Sequence, residues 1–172
     1  MYLKGSNLYL RALEPEDLDV LFQAENDSSI WWLSGQSGPY SRFALREYIA
    51  NSTNDIYTDK QLRLVIAQNQ DDRVVGIIDL FDYSPRHERA ELGALVFPEY
   101  RGKDYFAQAL QLLHKFVRQH LGLHQIYAYV PVNNPASLHV LHQMGYVHSN
   151  VLKDWLKTSD GYLDADLLQI LL

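Results

Sequence analysis

The segment FPEYRGKDYFAQAL, Phe97 to Leu110, sets a proline-closed strand, a short polar loop and an apolar-periodic stretch in succession. Where a loop feeds a helix, the first amide N–H groups have no intrahelical acceptor and the helix dipole adds partial positive charge, so the place suits a phosphate. Arg101, Gly102 and Lys103 form the loop, and Asp104, Tyr105 and Phe106 open the helix. The same residues would serve a plain strand-to-helix connection, since the Rossmann and P-loop glycine fingerprints are absent. Asp79 and Asp82 lie on the strand before, and Glu25 and Asp27 near the first helix. Facing one cleft, these carboxylates would hold a cation; standing singly, they would be solvated surface. Trp31 and Trp32 could roof an amine by cation-π contact or belong to the core. His139 and His142 are three apart on a helix, as many ligand pairs are, but the sequence places no third ligand beside them, and no metal is expected.

These groups need elements to position them. NLYLRAL alternates as a strand and ends at Glu14-Pro15, which favours helix entry. Pro15 to about Asn26 carries Leu18, Leu21 and Phe22 at helical spacing, and Ser41 is a candidate N-cap for a second helix through Phe43, Leu45, Tyr48 and Ile49. Leu62 to Gln68, Val74 to Tyr83 and Glu88 to Phe97 form a predicted three-strand meander. From Asp104 to about Leu121 one apolar face runs through Phe106, Ala109, Leu110, Leu113, Phe116 and Val117, with Gly122 as the stop. HQIYAYVPV is then a strand, Pro135 to Met144 a short helix, and the tail two strands turning at Ser159-Asp160-Gly161. The class is α+β, with no repeat and no linker that would divide residues 1–172 into more than one domain.

Bulk composition narrows the function. Hydrophobic residues make up 47% and charged residues 21%, the balance of an ordinary globular domain. The net charge of −6 argues against a nucleic-acid backbone as partner and suits a cationic ligand. There is no cysteine, which removes disulfides, thiolate nucleophiles and an acyl-cysteine step. Neither a signal-peptide core nor an apolar run of spanning length is present, so no membrane association and a cytoplasmic location are expected.

VPVNNPASLHVLHQMGY, Val130 to Tyr146, follows the R-G-x loop by about thirty residues. With LRALEPEDLDVLFQAEND near the start, the two segments resemble the GNAT superfamily of N-acetyltransferases, nearest in look to its spermidine-type and ribosomal-protein N-terminal branches. The likeness runs from Leu8 to Leu168 in the family's order of elements. It implies a mixed, mostly antiparallel sheet flanked by helices and splayed where Leu95 to Phe97 diverge from Tyr127 to Val130. It also implies acetyl-CoA as co-substrate and an amine acceptor. By resemblance the main chain of Leu95, Val96 and Phe97 holds the pantetheine arm, and Asn134 contacts it, although Asn134 is equally placed to cap the helix at Pro135. The family's pyrophosphate loop reads R/Q-x-x-G-x-G/A; Arg101 matches, while Asp104 and Phe106 stand where it has small residues.

Acetyl transfer needs a neutral amine. At pH 7 a primary alkylamine of pKa near 10.4 costs about 4.6 kcal/mol to deprotonate, so a base matters. Glu91 matches an acidic position that the spermidine-type branch uses at the amine, and the resemblance makes it base or amine anchor; pairing with Arg86 or Arg89 is the structural alternative. A tyrosine that often protonates the leaving thiolate is Leu141 here. Ser137 aligns with a proposed donor in the N-terminal-acetylating branch, and as a helix hydroxyl it could instead bond the backbone. Asp104, Phe106 and Leu141 also fit a relative with weakened catalysis that binds CoA as a regulatory or interaction module. The oligomeric state stays open, and the β-rich tail, Tyr162 to Leu172, could pair across a homodimer, as the resemblance to some relatives implies.

Overall fold

The computed structural model describes residues 3–172. Its strands are β1 (Leu8–Ala12), β2 (Leu62–Gln68), β3 (Val74–Ser84), β4 (Arg89–Val96), β5 (Gln125–Pro131), β6 (Val147–Thr158) and β7 (Gly161–Leu171). They form one sheet in the order β1-β2-β3-β4-β5-β7-β6. Every pair is antiparallel except β4 and β5, which run parallel and pair only at Arg89, Ala90 and Glu91 with Gln125, Ile126 and Tyr127. Beyond that rung β4 and β5 part, and the sheet opens as a V with Glu91 and Tyr127 at its apex.

Side chains alternate across a strand, so the sheet presents two faces, each with its own core. Leu64, Ile78, Leu80, Ala90, Leu92, Ile126, Ala128 and Leu168 face one side and pack with Ala109, Leu110 and Leu113 of α5 (Tyr105–Phe116) and Leu141 of α6 (Pro135–Gln143). Ile77 faces the other, against Leu21 of α1 (Leu18–Glu25) and Leu45 and Ile49 of α3 (Arg42–Asn51). Ser41 caps α3 as expected, its hydroxyl accepting from the Ala44 amide at 3.0 Å, an interaction worth about 1 kcal/mol. Pro15 opens a 3₁₀ turn, Pro15–Asp17, that leads into α1. Two four-residue helices, α2 (Trp31–Ser34) and α4 (Ile56–Asp59), were not expected; neither is long enough to show a helical period. After α5 the chain makes one π-helical stretch, Val117–Leu121, and Gly122 ends it at φ 61°.

The tail forms the two expected strands, and the sheet order limits how it could pair with a second copy. From Ala165 to Gln169, β7 is paired with β5 on one side and β6 on the other, so those residues have no edge left for a second copy. At this end of the sheet the edge strand is β6. Among the described residues no helix is long and apolar enough to cross a membrane.

Candidate functional site

Two kinds of main-chain group gather at the open end of the V. The first are the amides at the start of α5. Arg101 donates its amide to Pro98 O and Gln108 donates to Asp104 O, while the N–H groups of Gly102 to Phe106 have no main-chain acceptor among the described residues. That row of free donors is what an anionic pyrophosphate requires. Gly102 takes φ 72° and Asp104 φ 62°, so the position where a glycine would cost least holds an aspartate in the left-handed region. Asp104 stands at the N-cap but makes no side-chain cap bond, which removes helix capping as its role. The side chains of Tyr105 and Phe106 turn inward and pack on the main core, leaving their amides at the loop. Lys103 Nζ lies 5.4 Å over the Tyr100 ring.

The second kind lines β4 along the splay. Phe97 N–H donates to Val75 O at 3.0 Å, and the register pairs Leu95 with Ile77. Main-chain groups alternate between neighbours along an antiparallel strand, so Leu95 and Phe97 are turned to β3, and the groups facing the splay are those of Leu92, Ala94 and Val96. Of the three expected pantetheine contacts, only Val96 therefore points the right way. Its carbonyl already accepts from Arg101 Nε at 3.1 Å, which holds Arg101 over the end of β4.

On the Ile77 face of the sheet, next to the apex, lies a cavity of about 500 Å³. Phe81, Gly93 and Leu95 floor it, and Trp31 and Leu33 of α2 cover it. A Cβ on Gly93 would come within 3.0 Å of the Phe81 ring, so the missing side chain is what keeps the cavity open at the V. Trp31 anchors the cover by donating Nε1 to Glu25 O at 2.9 Å.

The carboxylates divide into two groups. Asp79 lines the cavity, but both its oxygens are taken by Arg63, at 2.8 Å from Nε and 3.1 Å from Nη2. Glu25 binds the same guanidinium at 2.6 Å from Nη1. Burial alone would lower the pKa of Arg63, but the charge and hydrogen bonds of Asp79 turn the net shift upward. Asp79 is thus a partner of Arg63 rather than a free anchor for substrate. Nothing in the periodicity signalled this, because the pair joins residues 16 apart across a hairpin.

Glu91 is the second group's centre. It sits at the apex rung between Phe81 and Tyr127, on the same face as the cavity. Burial and the nearby charge of Asp82 push its carboxyl up to about 7, and no arginine contributes to the shift, so the alternative of a pair with Arg86 or Arg89 is not what the structure shows. Asp82, at φ 49° in a bulge of β3, accepts from Tyr127 Oη at 2.7 Å. Burial first, then Asp82, keeps that phenol protonated. The sequence alone gives the Tyr127 and Tyr129 side chains no role; their spacing of two in IYAYV is the available sign that both share the face of Glu91.

Across the V, Asn134 caps α6 by accepting from the Ser137 amide at 3.2 Å. The Ser137 hydroxyl makes no hydrogen bond among the described residues, so it is not spent on the backbone. Leu141 is 2% exposed and belongs to the core. Asp82 and Glu91 are brought together, Asp79 and Trp31 share the cavity beside them, and the free amides of 102–106 lie at the far end of β4.

This arrangement has known counterparts. The family described as Acetyltransferase (GNAT) domain matches residues 7–147. The spermidine N(1)-acetyltransferase of Vibrio cholerae is 28% identical over 169 residues, covering 97% of this chain and 94% of that protein. The crystal structure of the Vibrio cholerae spermidine N-acetyltransferase in complex with CoA and spermine superposes with a TM-score of 0.85 at 26% identity, over 97% of this chain and 96% of the other. A dodecameric structure of spermidine N-acetyltransferase from Vibrio cholerae gives 0.80 at 28% identity, over 97% and 95%.

Proposed function

Because the chain belongs to the GNAT acetyltransferase family, we propose that it moves the acetyl group of acetyl-CoA to a primary amine of a small cationic acceptor, with Glu91 as base. One observation carries this reading: a carboxyl with a pKa of about 7 at the apex of the splay, beside a cavity on one face and an opening between strands on the other. A base poised near the operating pH is what an alkylamine needs before it can attack. The acceptor is assigned to the polyamine class, which the name of the Vibrio cholerae relative supports.

Acetyl-CoA would lie in the V, its pyrophosphate on the amides of Gly102 to Phe106 with Arg101 and Lys103 adding charge. Its pantetheine arm would meet the free main-chain groups of Ala94 and Val96, with Asn134 on the opposite side. The free amides are the fit that supports this placement. The bound acceptor amine gives its proton to Glu91, its lone pair forms the C–N bond to the thioester carbonyl carbon, and the C–S bond breaks. The nitrogen's second proton passes to the departing thiolate, directly or relayed through Ser137 or water. A thiolate is a tolerable leaving group near neutral pH, so the leucine at 141 slows the reaction without stopping it.

The test is thiol release by the purified chain with acetyl-CoA against spermidine, single amino acids and N-terminal peptides. Turnover with spermidine and not with the peptides supports the reading. Binding of acetyl-CoA without thiol release from any amine would replace it with the regulatory CoA-binding module that Asp104 and Leu141 also suit.

A further inference from the structure

Beyond the apex, the face that carries Glu91 continues onto an aromatic row. Tyr127 and Tyr129 meet edge to face with ring centroids 5.7 Å apart, and Tyr129 lies 5.4 Å from Trp155 of β6. Trp155 is 51% exposed, a large apolar side chain left in water. Its position is built rather than incidental. Leu152 pairs with Ala165 and Leu156 with Leu163, so three residues of β6 stand against one of β7. Asp154 in that bulge takes φ 50°. The opposing residue, Asp164, accepts from the Asp154 amide at 2.9 Å and from Lys153 Nζ at 2.7 Å. Bulges of this kind re-aim one side chain, and here the side chain re-aimed is Trp155, onto Tyr129.

We propose that Trp155, with Tyr129, determines acceptor specificity by binding a second positive charge of the amine whose reacting nitrogen lies at Glu91. This rests on the acetyl-transfer reading and deepens it. Tyr129 is two residues beyond the apex on the same face, a rise of about 3.3 Å per residue, and Trp155 lies one ring contact further. The second charge is therefore held on the order of 10 Å from Glu91. Only an acceptor with amines separated by several methylenes spans that distance, so the aromatic pair selects diamines and polyamines over monoamines. An ammonium over an indole face gains attraction from the ring quadrupole, and the two carboxylates whose charge reaches Tyr129, Glu91 and Asp82, outnumber the one cation that does, Arg89.

The experiment uses the full chain with saturating acetyl-CoA, and spermidine and n-butylamine as the two acceptors. Trp155→Ala is expected to raise KM for spermidine by roughly three- to thirty-fold while changing kcat by no more than about two-fold. KM for n-butylamine stays unchanged, and Trp155→Phe recovers most of the loss. Equal KM shifts for the two acceptors, or a loss in kcat alone, overturns the proposal and leaves acetyl transfer standing. Absence of thiol release from either acceptor by the unsubstituted chain overturns the acetyl-transfer reading, and this proposal with it.

Discussion

Below its ordinary pKa of 4.5 the Glu91 carboxyl is protonated whether or not the chain is folded, and above about 7 it is ionised in both states. Between the two, the folded protein holds a proton that the unfolded chain has released. Stability must therefore fall as pH rises across this window. Glu91→Gln removes that liability and the base together. At pH 8 the variant is expected to melt higher than the unsubstituted protein, with the difference shrinking toward pH 4.5. Turnover with spermidine falls about 10²- to 10⁴-fold, and the rise of kcat/KM through pH 7 disappears. A melting difference that does not vary with pH contradicts the assignment. Glu91 was legible because its strand and its acidic type match a known pattern. Its tuning was not: Asp82, whose charge acts on it, is held by Tyr127, 45 residues away, and the two meet only because β3, β4 and β5 are neighbours. Asp79 shows the opposite failure, since its type suggested an open anchor and the sheet gave it Arg63.

At the scale of elements, the connection from β4 to α5 was readable because its parts have distinct periods: alternation to Val96, a polar break, then apolar positions at helical spacing. Which main-chain groups of β4 face the splay was not, because Leu95, Val96 and Phe97 are told apart only by the register with β3. Strand order is similarly silent in sequence; nothing in the tail says that β7 inserts between β5 and β6. The loop itself yields a prediction. Asp104 takes φ 62° with no cap bond to offset it, and its carboxylate stands at a row of amides meant for an anion. Asp104→Gly relieves the backbone by about 1 kcal/mol and removes a like charge from the pyrophosphate site. Chemical denaturation should show the added stability, and calorimetry a tighter binding of acetyl-CoA. Unchanged or weaker binding would mean that these amides do not hold the pyrophosphate.

At the scale of the whole molecule, the main core takes side chains from strands β1 to β5 and β7, and from α5 and α6, so on that face the strands share one interior. One polar pair lies within its reach: His114 of α5, 5% exposed, is 3.0 Å by Nε2 from Tyr146 Oη, just before β6. Burial first, then Arg118, lowers the imidazole from 6.5 to about 4. The folded chain keeps His114 neutral where the unfolded chain protonates it, so its contribution is present above pH 6.5 and is lost as pH falls toward 4. Removing one partner would strand the other in the core, at about 1–3 kcal/mol, but replacing both with apolar rings of similar shape is close to neutral. His114→Phe with Tyr146→Phe should therefore unfold at nearly the same denaturant midpoint as the parent at pH 7.5. At pH 4.5 it should unfold later, because it has no buried imidazole to charge. Both proteins are expected to unfold in a single transition by fluorescence and by circular dichroism, as one shared core requires. If the double variant instead loses stability by the same amount as its parent between pH 7.5 and 4.5, His114 is not what acid attacks, and Asp17, whose pKa burial would raise but its hydrogen bonds to Arg11 and Glu14 lower, becomes the group to examine.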